Sequence, residues 1–224
     1  MKRLVVQTAD GSTSIHLPEW NESYHSKHGA IQEAQHVFIK NGLNLFQNQN
    51  LSILEIGFGT GLNAFITLLE APKRQLTIQY TGVEVYPVLA EEWQHMNYVA
   101  ELQADEQARL FDQLHNSAWE QEIIITPTFS LCKRQQRIQD IADQNQFDLI
   151  YFDAFGYRVQ PELWSDEIFR NMYAALKPNG VLVTYAATGA VRRSMLAAGF
   201  SVEKLAGPPG KREMLRAKKL IIKN

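Results

Sequence analysis

One cysteine, Cys132, occurs in 224 residues. A single thiol excludes an intramolecular disulfide and a cysteine-built metal centre, and it suits a reducing compartment. Long apolar runs are also missing: "QFDLIYFDAF" and "GVLVTYAA" stop far short of the roughly 20 residues that cross a bilayer. The beginning, "MKRLVVQTADGS", turns polar too soon for a secretory signal. Histidines number six, but His25, His28 and His36 lie in a polar stretch without a carboxylate-bearing zinc motif, so no metal is expected. Internal repeats and low-complexity linkers are absent as well. These absences lead to the expectation of a soluble, cytoplasmic protein with no membrane contact.

The formal net charge of −2 hides a segregation of sign. Residues 189 to 224 hold nine Lys/Arg against two acids, whereas residues 1 to 188 hold 13 against 22. Such a basic end suits a polyanionic partner, and it equally suits a solvated tail.

From Leu51 onward, short apolar runs alternate with amphipathic stretches, the pattern of an α/β chain with parallel strands. "LSILEIG" predicts a strand and "GLNAFITLLEA" a helix that stops before Pro72. "LTIQYTGVEVYP" reads as the second strand. "LAEEWQHMNYVAEL" and "ADEQARLFDQLHNSAW" read as helices, "EIIITPTFSLCKR" as one or two strands, and "RIQDIADQ" as a brief helix. "FDLIYFDAF" is a strand buried on both faces, and "SDEIFRNMYAALK" a helix with Ser165 as N-cap. "GVLVTYAA", "GAVRRSMLAAG", "FSVEKLAG" and "REMLRAKKL" complete the alternation as strand, helix, strand, and a last strand or tail. Residues 1–50 are less periodic and carry a hairpin signal at Asp10-Gly11. We therefore divide the chain into an N-terminal extension, 1–50, packing on a main domain, 51–224.

The chemistry concentrates in "EIGFGTG" between the first strand and its helix. Glycines there let the main chain pass a ligand at contact distance, and the following helix start offers free N–H groups. The spacing of Gly57, Gly59 and Gly61 is G-x-G-x-G, the pattern of S-adenosylmethionine enzymes and not the G-x-G-x-x-G of dinucleotide sites. Glu84 ends the second strand 23 residues after Gly61, where a carboxylate accepts both hydroxyls of a ribose. Asp153 ends an otherwise apolar strand; it either caps the next turn or faces the crevice.

"GFGTGLN" (57–63), "FDAF" (152–155), "PELW" (161–164), "GAVRRSMLAAGF" (189–200) and "GKREML" (210–215), in this order, resemble the tRNA wobble-uridine methyltransferase family of the MnmC type. "ESYHSKHGAIQEAQHVFIKNGL" (22–43) is similar to the segment that precedes the glycine loop in that family. The resemblance implies a Rossmann-like class I S-adenosylmethionine-dependent methyltransferase fold with a small N-terminal addition. It implies tRNA as partner, S-adenosyl-L-methionine as cofactor, and methylation of 5-aminomethyl(-2-thio)uridine to the methylaminomethyl form. Many members carry a second, flavin-dependent oxidase domain. This chain offers no second Gly-rich motif and resembles the stand-alone form called MnmD. Where such enzymes commonly place an acid near adenine, this sequence reads "SLCKRQQRIQD", with Gln135, Gln136 or Asp140 as substitutes.

Carried onto these positions, the resemblance implies a donor site of Glu55, Gly57, Phe58, Gly59, Thr60, Gly61, Asn63, Glu84, Val85 and Asp153. Asp153 is also the expected catalytic group, since the attacking amine must lose a proton. Phe155 and Tyr157 are expected to stack on uracil, or else to be core and surface residues respectively. Arg192, Arg193, Lys211 and Arg212 are expected to meet tRNA phosphates, with at most one of the adjacent pair Arg192-Arg193 facing the RNA. Two other readings stay open: a methyltransferase of a small molecule or protein, and a non-catalytic RNA-binding scaffold. Sequence gives no oligomeric state.

Overall fold

The computed structural model describes residues 2–220. Near the N-terminus, β1 (Leu4–Gln7), β2 (Thr13–Leu17) and β3 (Glu22–Ser23) form an antiparallel sheet. The Asp10 carboxylate closes the β1–β2 connection by accepting from Ser12 N and from the Thr8 and Ser12 hydroxyls. A short helix, α1 (Ala30–Ala34), continues into a π-helical stretch, Gln35–Lys40.

The main sheet grows from β4 (Asn50–Ile56), α2 (Leu62–Glu70) and β5 (Thr77–Val83). Then follow α3 (Ala90–Trp93), α4 (Tyr98–Glu101), α5 (Ala108–Asn116), β6 (Glu122–Thr126), β7 (Phe129–Arg134) and β8 (Phe147–Phe152). The chain ends through α6 (Asp166–Ala175), β9 (Leu176–Thr184), α7 (Gly189–Ala197), β10 (Ser201–Ala206) and β11 (Glu213–Lys218). Strand order is β10-β11-β9-β8-β4-β5-β7-β6. The five strands from β9 to β7 are parallel, and β6, β11 and β10 pair antiparallel at the flanks.

Burial follows the period of two that a doubly covered sheet requires. Ile53, Leu149 and Tyr151 face one apolar cluster with Phe38 and Phe65, while Leu54, Ile150 and Phe152 face the other with Phe169 and Met172. Ile15, Leu17 and Val37 of the N-terminal segment join the first cluster. Local capping behaves as expected: Ser165 Oγ accepts from Ile168 N at the start of α6. "FDLIYFDAF", "GVLVTYAA" and "FSVEKLAG" are strands as expected, and "REMLRAKKL" forms the strand β11.

Two expectations change. "LAEEWQHMNYVAEL" is broken into α3 and α4, because Asn97 turns its amide onto the β1–β2 hairpin, accepting from Thr13 N (2.8 Å) and donating to Gly11 O (2.9 Å). "RIQDIADQ" is only a 3-10 turn at Ile138–Asp140, since Ile138 and Ile141 are both pulled into the core and Arg134–Asp143 pairs across the loop. No helix among the described residues is long and apolar enough to cross a membrane.

Sheet order reverses at β4, with β5 on one side and β8 on the other. Such a switch point opens a crevice beyond the carboxyl ends of the strands.

Candidate active site

The glycine loop leaves β4 at that switch point. Gly57 N and Phe58 N both donate to Val83 O (2.9 and 3.0 Å), tying the loop to the end of β5. Gly57 has φ +85°, and a Cβ there would stand 2.6 Å from Asp153 O, so only glycine lets β4 and β8 approach at this level. Gly59 has φ +50° and lies against the Tyr24 ring, 3.1 Å from where its Cβ would be.

Around this loop the chain folds a cavity of about 970 Å³. Its walls come from five stretches: 17–25, 56–63, 83–92, 135–139 and 153–163, with Arg3 and Tyr185 closing it. Glu84 sits behind the loop. Its Oε2 accepts from Gly59 N (3.1 Å) and its Oε1 from Tyr86 N (2.9 Å). Burial raises its carboxyl pKa, and the backbone donors pull against that rise.

At the end of β8, Asp153 N donates to Ile56 O (3.0 Å), and Asp153 Oδ2 accepts from Asn63 Nδ2 (2.8 Å). Burial, with a push from the Glu33 charge, raises its pKa from 3.8 to about 7, against the Asn63 hydrogen bond and the Lys211 charge. The same Asn63 Nδ2 donates to Glu55 Oε1 (2.9 Å), and Tyr80 OH donates to Glu55 Oε2 (2.9 Å). Asn63 Oδ1 is buried with no hydrogen-bond partner among the described residues. A row of polar groups thus runs from the sheet interior to the cavity: Tyr80, Glu55, Asn63, Asp153.

Of the residues singled out in the sequence, Gly57, Phe58, Gly59, Thr60, Asn63, Glu84, Val85, Asp153 and Phe155 meet on the cavity wall. Gly61 caps the start of α2 beside them. Glu55 does not reach the wall: it is 0% exposed under the loop and is joined to Asp153 only through Asn63 Nδ2. Gln135 and Gln136 reach the wall and Asp140 does not. Tyr157 is 40% exposed and off the wall.

Arg192, Arg193 and Arg212 also lie off the wall, and none of them forms an ion pair among the described residues. Lys211 differs from its expected place as a free phosphate contact. Its ammonium is paired with Glu33 and lies 3.8 Å from the centre of the Tyr185 ring. Lys204 and Arg216 are likewise paired, with Glu213 and Glu203, so the basic end is less free than its composition indicates. Lys223 lies outside the described residues.

The sequence reading missed the aromatic wall. Trp20 and Tyr24 meet Phe155 edge to face, with centroids 5.6 and 5.1 Å apart. Trp164 Nε1 donates to Phe155 O (2.8 Å) from below, which fixes that ring's backbone. The signal available was the pair of aromatics in "PEWNESYH", four residues apart in a segment otherwise polar. Arg3 was also missed: it donates to Tyr86 O (2.8 Å) and Pro87 O (3.1 Å) and binds the N-terminal segment to the rim.

The tRNA 5-methylaminomethyl-2-thiouridine biosynthesis bifunctional protein MnmC of Cupriavidus metallidurans is 31% identical over 219 residues, covering 90% of this chain and 32% of that protein. The protein of the same name from Aromatoleum aromaticum is 30% identical over 215 residues, covering 89% of this chain and 33% of that one. The chain therefore spans about a third of the length of the curated relatives it matches. The crystal structure of MNMC2 from Aquifex aeolicus has the same fold, with a TM-score of 0.73 over 100% of this chain and 72% of that one, at 23% identity. A family model described as S-adenosyl-L-methionine-dependent methyltransferase matches residues 105–220, which is more than half of the chain. That match takes in β8, the Asp153 that follows it and everything on to the end of β11, and by it the chain belongs to the S-adenosyl-L-methionine-dependent methyltransferase family.

Proposed function

We propose that this chain transfers a methyl group from S-adenosyl-L-methionine to the primary amine of 5-aminomethyl(-2-thio)uridine at the wobble position of tRNA. The relatives' names refer to biosynthesis of the methylated nucleoside by a bifunctional protein, and the methyltransferase match over residues 105–220 supports a methyl-transfer share for this chain. The observation that carries the reading is Asp153: a carboxyl with a pKa of about 7, held by one oxygen, on the wall between the glycine loop and an aromatic pocket.

The methyl donor fits the residues present. The loop offers the bare backbone at Gly57 that a Cβ would fill, and each Glu84 oxygen keeps a lone pair for a ribose hydroxyl beyond its backbone donor. Gln135 and Gln136 supply amide donors and acceptors for a purine edge. Phe58, Thr60, Asn63 and Val85 line that half with Glu55 and Gly61 behind them, and the Thr60 hydroxyl contacts Tyr98 OH (2.9 Å). When bound, the donor supplies an electrophilic methyl on a sulfonium.

The remaining work falls to the chain. Trp20, Tyr24 and Phe155 present flat apolar faces to an unstacked pyrimidine. Asp153 takes the proton that the substrate ammonium must lose before its lone pair is free, and desolvation in the cavity makes that loss easier. Asn63 keeps one Asp153 oxygen occupied, so the other faces the amine. Arg192, Arg193 and Arg212 meet tRNA phosphates outside the cavity.

Pairing of Lys204, Lys211 and Arg216 leaves fewer free cations, which favours a second reading in which the acceptor is a small molecule. Mass spectrometry of nucleosides from tRNA carrying 5-aminomethyl-2-thiouridine, before and after incubation with the chain and donor, separates the two. The expected product is the methylaminomethyl nucleoside in tRNA. A protein that binds the donor but leaves this tRNA unchanged overturns the proposal, and equal turnover of the free nucleoside supports the second reading.

A further inference from the structure

The sequence assigns Lys211 to an outer, phosphate-binding role, yet the fold turns it inward. The loop between β10 and β11 is pressed onto the N-terminal segment. His36 Nε2 donates to Ala206 O (2.7 Å) at the end of β10, and a Cβ at Gly210 would run into the His28 ring. This brings the Lys211 ammonium onto the carboxylate of Glu33, a buried acid of α1 whose other oxygen accepts from Ser26 N (2.9 Å). Lys211 also covers the Tyr185 ring, and Tyr185 OH donates to Ala154 O (2.8 Å), the carbonyl next to Asp153.

We propose that Glu33 and Lys211 are positioning residues for Asp153: the lysine neutralises a buried acid behind the cavity wall and so sets how readily Asp153 carries charge. The inference rests on the proposed role of Asp153 as proton acceptor.

Two opposite charges act on this carboxyl from neighbouring elements. Glu33 of α1 opposes its ionisation and Lys211 of the β10–β11 loop favours it. Glu55 on β4, Tyr80 on β5 and Tyr185 after β9 are each coupled to the Asp153 charge as well. Within this set Lys211 is the cation that favours the charged form. A cation paired with a buried acid has two opposite effects when the pair is cut. Removing Lys211 leaves Glu33 as an uncompensated negative charge beside the wall, and removing Glu33 leaves the positive charge alone. Loosening of the loop alone, with no charge effect reaching Asp153, would move its midpoint the same way in both variants.

The experiment is carboxyl ¹³C NMR titration of the full chain labelled at Asp and Glu, with Asp153 assigned by its loss in Asp153→Asn, and circular dichroism confirming the fold of each variant. The Asp153 midpoint is expected to rise by about one pH unit in Lys211→Met and to fall by about as much in Glu33→Gln. It should lie close to the parent value in the double variant and in Lys211→Arg. If Lys211→Met does not fold, Glu33→Gln and Lys211→Arg still test the sign and the rescue. Midpoints that stay within about 0.2 of the parent, or that move the same way in Glu33→Gln and Lys211→Met, overturn the assignment. Because the readout needs neither tRNA nor turnover, a protein without wobble-uridine methylation that still shows the opposed shifts overturns the functional proposal and leaves this coupling standing.

Discussion

Replacing Asp153 by Asn keeps the shape of the cavity wall and removes the group that accepts the proton. An Asn side chain at this position turns its carbonyl oxygen toward Asn63 Nδ2, which stands 2.8 Å from the carboxylate oxygen it replaces, so the hydrogen bond persists. With a pKa of about 7, the parent carboxylate is about one-tenth ionised at pH 6 and about nine-tenths at pH 8. Methyl transfer by the parent should therefore climb about 10-fold across that window, on top of the rise in neutral amine. The variant should lose this limb and run slower by about 10²-fold at pH 7, the usual scale of proton-transfer assistance. Its defect shrinks as pH rises and the amine deprotonates on its own.

Stability moves the other way. The folded-state pKa of this acid is raised above 3.8, so the folded protein binds the extra proton between about pH 4 and 7 and is destabilised by ionisation above that range. A rise from 3.8 to about 7 corresponds to roughly 4 kcal/mol at full expression, an upper bound for a carboxyl that still borders the cavity. Asp153→Asn should accordingly melt at a higher temperature than the parent at pH 8 and at the same temperature near pH 4. Single-turnover methylation of the aminomethyl tRNA from pH 6 to 9, alongside melting curves at pH 4 and 8, reads both. A rate loss identical at every pH, with no gain in melting temperature, refutes proton acceptance by Asp153.

Gly59→Val puts a β-branched residue at φ +50° with its Cβ 3.1 Å from the Tyr24 ring, and calorimetry should show loss of donor binding in a folded variant; unchanged affinity removes the loop from the site. Lys133 is a buried lysine whose pKa is pushed from 10.5 to about 8 by desolvation, with His115 O as acceptor and the Trp119 ring 4.9 Å away. Its charge destabilises the fold below pH 8, and the penalty fades between 8 and 10.5, so Lys133→Met should raise stability by about 1–3 kcal/mol at pH 7 and by nothing near pH 11. A denaturant titration at both pH values checks this. Arg193→Glu with Arg212→Glu should weaken tRNA binding, reduce the slope of log K against log salt by about 0.7–0.9 for each phosphate no longer neutralised, and leave donor affinity intact; equal tRNA affinity at low salt shows that these arginines face solvent only.

Much of this protein is local, and local order is legible in a sequence. The β4–loop–α2 turn follows from an apolar strand that runs into three glycines and an amphipathic helix, since each step is decided by neighbours a few residues apart. The same holds for Glu84 and Asp153, which directly follow the last residues of β5 and β8, and for the Ser165 cap. What surrounds those strand ends was decided elsewhere. The helix at 89–102 broke because Asn97 found the hairpin 84 positions away, a hydrogen bond that no window of the sequence contains. Trp20 and Tyr24 became a wall of the cavity because Arg3 and the N-terminal strands carry them to the end of β8, and an aromatic in a polar segment looks the same whether it faces solvent or a ligand. Lys211 shows the difference most directly. Its charge was visible in the composition, but pairing with Glu33, 178 positions earlier, turned it from the outer face toward the site. Sequence alone determined the strands of the parallel sheet, the glycine turn and α2, because propensity and periodicity act over a turn or two. Tertiary structure decided which charges are paired and which stay free, because a buried acid such as Glu33 takes the cation that the fold brings to it.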